Sequence, residues 1–282
     1  MELLALKTFQ AVVEEGGVLA ASRRLNTVQS NVTSRIKRLE EEFGTPLFFR
    51  QGRGLTLSPS GKVLLEYSHQ LLQLARQTSS ALMQVGESCG QLRIGTKECF
   101  AAVHLPTILK HVKDHLPDLG LHVQSSPSVE LIKQVLDHKM DCAFVGGPIE
   151  HPDLISHEIK KDHLVLIHTG QQNPEAQPLI MFREGCTYRA RALTWQRENG
   201  HPLPQIMEMG TLEGILGCVA VGLGCTLVPR SVAQQSQHAD TFTMTELPPE
   251  IANTTTLLIH HKQFPPLLGL QTLIDVAQKF HQ

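Results

Sequence analysis

Residues 20 to 39, reading AASRRLNTVQSNVTSRIKRL, constrain this chain more than any other stretch. Ala20, Ala21 and Leu25 recur at helical spacing, Asn26 and Thr27 interrupt the pattern, and Val32, Ile36 and Leu39 restart it at i, i+4 and i+7. That periodicity predicts two short helices joined by a tight turn, a helix-turn-helix. The face of the second helix away from its apolar residues carries Gln29, Ser30, Asn31, Thr33, Ser34, Arg35 and Arg38. Amide, hydroxyl and guanidinium groups are the ones that hydrogen-bond base edges and phosphates. Arg23, Arg24, Arg35, Lys37 and Arg38 concentrate positive charge over this span, and Glu40, Glu41 and Glu42 follow at once. The basic end is expected to face a polyanion and the acidic end to point away. An ordinary helical hairpin with a solvated charged face has the same pattern, so features downstream must separate the two readings.

A chain of 282 residues is too long for one helical DNA-binding module and long enough for two or three domains with separate cores. The net charge of -2 and a pI near 6.7 would exclude a uniformly basic nucleic-acid binder, but the basic residues gather at the front and acids elsewhere offset them. No apolar run approaches the roughly 20 residues of a membrane span, and Glu2 beside Leu3, Leu4 and Leu6 is unlike a signal peptide, so a cytoplasmic protein without membrane partners is expected. Cys89, Cys99, Cys142, Cys186, Cys218 and Cys225 show no CxxC and no metal-ligand spacing, which fits reduced thiols in a reducing compartment.

Leu3, Leu6, Phe9, Val12 and Val13 make the apolar stripe of a first helix, stopped by Gly16 and Gly17. The recognition helix is expected from about Gln29 to Phe43, ending at Gly44. Leu47, Phe48 and Phe49 then lead into Arg50-Gln51-Gly52-Arg53-Gly54, and Leu55-Thr56-Leu57 returns as a strand. This predicts a hairpin wing that sets Arg50 or Arg53 against phosphate or into the minor groove, or else a surface hairpin with solvated arginines.

Residues 1 to 60 resemble the winged helix-turn-helix of the LysR-type transcriptional regulators, on Gln29, Arg35 to Glu40, Leu47 to Arg50 and Leu57 to Gly61. The resemblance implies that Gln29, Ser30, Asn31, Ser34 and Arg35 read bases and phosphates, with Arg50 and Arg53 in the wing. Val28 stands where many members have a hydroxyl residue, which leaves Thr27 as the candidate N-cap of the recognition helix.

Ser58 followed by Pro59 reads as an N-cap with proline in the first helical position. Leu64, Ser68, Leu71, Ala75, Thr78, Leu82 and Val85 alternate in steps of four and three, and Leu65 and Leu72 add a second stripe. A helix this long cannot bury both stripes on a small front domain, so pairing with a second copy is expected; an ordinary core helix packed in cis is the other solution. Residues 1–58 are thus expected to bind DNA, 59–88 to link and dimerise, and 89–282 to form an effector domain.

That last region alternates strands with helices. Strands are expected at Leu92 to Gly95, Leu121 to Gln124, Cys142 to Val145, His163 to His168, Leu179 to Phe182, Ile206 to Met209, Thr226 to Pro229 and Thr255 to His260. Helices are expected at 100–115, 128–138, 187–198, 211–222 and about 266–280, which argues for a mostly parallel sheet in an α/β fold. Two lobes with a cleft between them follow, lobe I spanning 89–162 and 263–282 and lobe II 163–262. The resemblance implies the same architecture, since the family's effector domain is similar to periplasmic binding proteins with the C-terminal helix returning to the first lobe. Segments 181–200 and 210–231 resemble the YofA-like branch of the family.

Ligands of such sheets bind at carboxyl ends of strands, where helix N-termini present free N–H groups. Those places are Thr96 to Cys99, Ser125 to Ser128, Gly146 to Pro148, Gly185 to Tyr188 and Gly210-Thr211, with Thr96, Lys97, Cys99, Ser126, Ser128, Gly146, Gly147, Cys186, Thr187 and Thr211 as the candidate contacts, and their hydroxyls suit a carboxylate or other small anion. Helix capping selects the same residue types. Lys97 would pair with an acidic effector and Glu98 would oppose it. Cys186, just ahead of a helix, would have a lowered thiol pKa in a redox reading that pairs it with Cys99; a structural thiol is the alternative.

His111 and His115 lie at i, i+4 with no carboxylate or cysteine nearby to complete a metal site, and His260 and His261 point to opposite faces of a strand. No serine elbow, P-loop or dinucleotide glycine pattern occurs, so no catalytic residue and no cofactor are expected. Two function classes remain. One is a regulator that binds promoter DNA as homodimers, paired further into a homotetramer, with a small effector in the cleft changing the angle between dimers. The other is a binding protein or enzyme for small anions whose front domain serves assembly.

Overall fold

The computed structural model describes residues 1–51, 54–85, 90–170, 176–198, 205–263 and 267–279. Gly86, Cys89, Arg53 and the ends of the expected C-terminal helix lie outside the described residues, as does the Arg50 side chain. The chain divides into two compact units, Met1–Ser79 with Asp137–Lys139, and Ser80–Leu136 with Met140–Gln282. No helix among the described residues is long and apolar enough to cross a membrane.

In the first unit α1 (Leu3–Glu14), α2 (Val18–Arg24) and α3 (Gln29–Phe43) close on a core of Phe9, Val12, Ala21, Val32, Ile36, Leu39 and Leu47. α3 ends where Gly44 takes the left-handed φ of 64°, a conformation that a side chain would strain. The hairpin of β1 (Phe48–Gln51) and β2 (Gly54–Leu57) pairs Phe48 with Leu57 and Gln51 with Gly54. It is fastened to the recognition helix by Glu40, whose Oε1 accepts the Leu47 N–H at 2.8 Å, and by the Phe48 ring 5.3 Å from that of Phe9. Glu40 therefore holds the wing rather than simply pointing away.

The long helix α4 (Pro59–Val85) starts as expected: Ser58 Oγ accepts the Gly61 N–H at 2.9 Å and donates to the Pro46 carbonyl at 2.6 Å. A Cβ on Gly61 would sit 2.2 Å from the Leu47 carbonyl oxygen, so only glycine allows this helix to cross the start of the wing.

Burial along α4 differs from the expected seam. Leu64 and Leu65 pack on the front core, Ser68 is fully buried and accepts from Gln10 Nε2 at 2.9 Å, and Leu72 is buried. The apolar residues left outside are Val63, Tyr67 and Leu74, at 55, 58 and 50% exposure, with Leu82 further along. Both stripes read from the sequence are thus largely used in cis at their N-terminal ends, and a third one faces out. Period alone does not choose among stripes a few residues apart.

In the second unit, β3 (Gln91–Thr96), β4 (Gly120–Ser125) and β5 (Cys142–Gly146) are parallel. All five residues of β5 are buried, as a strand covered on both faces requires. One face, through Ile94, Cys142 and Phe144, meets α6 (Leu105–His115) and α12 (Leu268–Lys279); the other, through Ala143 and Val145, meets α7 (Ser128–Leu136). The C-terminal helix thus returns to the first lobe. The expected helix over 100–115 is two helices, α5 (Glu98–Val103) and α6, broken at His104 because Pro106 has no N–H for the ladder.

The expected mostly parallel sheet is a mixed one. β6 (Leu154–His168) and β11 (Asn253–His261) run antiparallel to each other, and β11 is antiparallel to β5. β10 (Thr243–Glu246) and β9 (Thr226–Pro229) also flank β6 antiparallel, giving the order β10-β6-β11-β5-β3-β4 with β9 on β6. β6 begins nine residues earlier than its apolar run, since Lys160, Lys161 and Asp162 hide the alternation that pairing with β11 imposes. It puts Ile159 into the first lobe's core and Leu164 to Ile167 into the second's.

That second core is closed by the parallel pair β7 (Leu179–Met181) and β8 (Ile206–Glu208), with α8 (Thr187–Glu198) and α9 (Leu212–Ala220). Two short helices, α10 (Arg230–Gln235) and α11 (Pro249–Ala252), fall where the sequence suggested none.

Candidate functional site

On α3 the side chains of Gln29, Ser30, Asn31, Thr33, Ser34 and Arg38 are exposed, and Arg23 of α2 is exposed beside them. They share one surface because Val32, Ile36 and Leu39 pull the opposite face of α3 into the core. Arg35 departs from the expectation: it is half-buried on the flank of α3, and its Nη1 lies 3.4 Å from Thr8 Oγ1 of α1. Arg24 is taken up by Glu14 and Glu15 at 2.6 and 3.1 Å. The free positive charge is therefore narrower than the sequence suggested. Thr27 does not cap α3 either; Val28 is the N-cap residue and makes no side-chain bond, while Thr27 Oγ1 accepts from Asn31 Nδ2 at 3.1 Å.

In the second unit a cavity of about 200 Å³ is lined by Lys97, Glu98, Cys99, Ser125 to Ser128, Phe182, Arg183, Cys186, Thr187, Tyr188, Met209 and Gly210. That volume suits a small metabolite rather than a drug-sized ligand. Lys97, Cys99, Ser126, Ser128, Cys186 and Thr187 come together here. Thr96, Gly146, Gly147 and Thr211 do not line the cavity. Thr96 is fully buried in β3. Gly146 makes room for Thr187, and Gly147 for Leu257. Thr211 caps α9, accepting the Gly214 N–H at 3.2 Å. Ser128 Oγ accepts the Gly146 N–H at 3.1 Å, tying α7 to the end of β5.

The cavity's most unusual group is Lys97. Only 8% exposed, it donates from Nζ to Tyr188 Oη at 2.9 Å. Burial pushes its pKa below the ordinary lysine value, against an opposing pull from Asp162. Burial also holds the Tyr188 phenol well above its ordinary value, so Tyr188 stays protonated at neutral pH. Tyr188, the second residue of α8, closes the strand-end turn Gly185 to Tyr188 that the sequence pointed to, where only Cys186 and Thr187 were expected as contacts.

At the mouth of the cavity, Arg183 pairs with Glu130 of α7 at 2.7 Å.

Both thiols run against the redox expectation. Burial raises the pKa of Cys99 and of Cys186, although the backbone N–H groups of Arg189 and Tyr188 at the start of α8 pull Cys186 the other way. His111 and His115 each bond a carbonyl one turn back, at 2.8 Å. His260 meets His157 across the strands, Nε2 to Nε2 at 3.2 Å, while His261 is more exposed. Among the described residues no group of three or more His, Cys, Asp or Glu could hold a metal ion.

Known proteins place this arrangement. Residues 3–62 match the family model of the bacterial regulatory helix-turn-helix proteins of the lysR family, and residues 86–282 match the LysR substrate binding domain. The HTH-type transcriptional regulator YofA of Bacillus subtilis (strain 168) is 38% identical over 98% of this chain and 98% of its own length. CzcR of Bacillus thuringiensis (strain Al Hakam), also an HTH-type transcriptional regulator, is 36% identical over 100% of this chain and 95% of the relative. Among solved structures, the LysR family transcriptional regulator CbnR shares the fold with a TM-score of 0.71 at 20% identity over 100% of both chains. Full-length CbnR complexed with its target DNA gives 0.69 at 20% identity over 99% of each. Matched at both ends by the family's two domains and throughout by its regulators, the chain belongs to the LysR family of DNA-binding transcriptional regulators.

Proposed function

We propose that α3 enters the major groove of promoter DNA with Gln29, Ser30, Asn31, Thr33 and Ser34 toward base edges, and that Arg23, Arg38, Arg50 and Arg53 contact phosphate or the minor groove. Arg35 supports this reader through Thr8 as much as it touches DNA. The observation that carries the reading is the shared exposure of these polar side chains on the one face of α3 that the core does not use.

Two copies pair through the outward stripe of α4, and two such dimers make a tetramer on DNA. Residues 1–58 are the reader, 59–88 the linker and 89–282 the sensor. The effector is a small anion in the Lys97–Tyr188 cavity, which gathers Arg183 and the hydroxyls of Ser125, Ser126 and Thr187. A ligand that binds one lobe arrangement better shifts DNA binding by the same coupling free energy.

Genome-wide mapping of bound DNA tests the reading. The wild-type chain is expected to occupy a small set of promoters, and the double variant Gln29→Ala/Ser30→Ala to lose them while still folding. Occupancy unchanged by that variant would overturn it.

A further inference from the structure

Taking this cavity as the effector site, the same reading identifies a chemical class of ligand. We propose that Lys97 captures a small carbonyl compound, an aldehyde or oxo acid, as an imine, with Tyr188 as the proton relay. An exposed lysine is strongly hydrated and free to move on its flexible stem. Lys97 is instead held at the wall of a small cavity with little access to water, its Nζ 2.9 Å from a phenol that keeps its proton. Burial disfavours the ammonium form, which leaves a larger share of nucleophilic amine at neutral pH than an exposed lysine has.

The chemistry balances without any further reagent. The amine lone pair attacks the carbonyl carbon, a C–N bond forms, and the carbonyl π electrons move to oxygen. One N–H proton passes through Tyr188 to that oxygen and gives the carbinolamine. The second follows the same route as the C–O bond breaks, water leaves, and Tyr188 ends as the phenol it began as. Nothing is oxidised or reduced. A carboxylate on the same ligand meets Arg183, sharing its guanidinium with Glu130, and Phe182 and Met209 give the imine an apolar wall.

Glyoxylate, the smallest oxo acid, is the probe, and glycolate, its counterpart without the carbonyl, is the control. The full-length protein is incubated with either one and cyanoborohydride, and adducts are located by peptide mass mapping. Glyoxylate is expected to label Lys97 about tenfold faster than the exposed lysines, as a less protonated amine would. Tyr188→Phe is expected to slow the labelling, and Lys97→Arg, which keeps the positive charge, to abolish it at that position. Labelling spread evenly over surface lysines would overturn the imine. So would equal thermal stabilisation of wild type and Lys97→Arg by glycolate and glyoxylate without an adduct, a result that leaves the cavity as an anion site. No stabilisation and no adduct with either compound would remove both.

Discussion

Lys97 at the end of β3 donates its Nζ proton to Tyr188 Oη, 2.9 Å away at the start of α8, so one hydrogen bond joins the two lobes across the cavity. Both residues are almost completely buried, so their bond forms with little competition from bulk water.

Tyr188→Phe removes the acceptor and leaves the amine behind. A loss of about 1–3 kcal/mol is expected, the usual cost of stranding a buried polar group. Urea unfolding of the full chain measures it. The double variant Lys97→Met/Tyr188→Phe should recover part of the loss, since it removes the stranded amine as well. Stability equal to wild type in Tyr188→Phe would show that the bond contributes nothing.

A second pair sets a pH dependence. The His157 and His260 rings stack 5.3 Å apart with Nε2 atoms 3.2 Å from each other, a contact that needs one N–H and one lone pair. Burial lowers both pKa values below 6.5, so between the folded values and 6.5 the unfolded chain binds more protons. The pair's contribution is therefore fully present above 6.5 and is lost as pH falls through the folded values. Melting temperature should drop between pH 7 and 5, and His157→Gln/His260→Gln should flatten part of that slope. His69 and His261 shift the same way and add to the slope that remains. An identical slope in the double variant would contradict this.

The outward stripe of α4 makes a prediction about assembly. Val63→Glu/Tyr67→Glu places charge on side chains more than half exposed in the single chain, so folding should survive. Dimer affinity should fall at least about tenfold, as charge placed in the centre of an apolar contact does. Sedimentation at a series of concentrations reads it. The same substitutions at Leu64 and Ser68, the seam read from the sequence, should instead damage the front domain. Unchanged dimerisation in Val63→Glu/Tyr67→Glu would put the interface elsewhere.

Where local chemistry carries the signal, the sequence was readable. Gly16 and Gly17 stop α1, Gly44 ends α3, Ser58 and Pro59 start α4, and the alternation of Leu55-Thr56-Leu57 gives β2. What was not readable depends on partners distant in the chain. The first half of β6 is a strand because β11 lies beside it, and nothing in Lys160-Lys161-Asp162 announces that. The buried side of α4 is set by Gln10 and the front core, not by its own periodicity. The cavity was half legible: the strand-end turns identified Lys97, Ser126, Cys186 and Thr187 and ran as far as Tyr188, but Thr211 is spent on capping α9, and Arg183 lies just ahead of the turn the sequence marked. Arg35 shows the same limit, because whether a flank residue faces DNA or Thr8 depends on how α1 crosses α3.

The central claim is that the exposed face of α3 distinguishes one DNA sequence from another, and equilibrium binding to a bound promoter fragment and to a scrambled competitor of equal length tests it most directly. For wild type the promoter fragment is expected to bind far more tightly at fixed salt. Gln29→Ala is expected to reduce that preference by about 1–3 kcal/mol and Ser34→Ala by less, both leaving competitor binding unchanged, and Arg38→Ala to weaken both fragments together. A wild-type chain that binds the two fragments equally, or a preference untouched by Ser34→Ala and Gln29→Ala alike, would contradict the account.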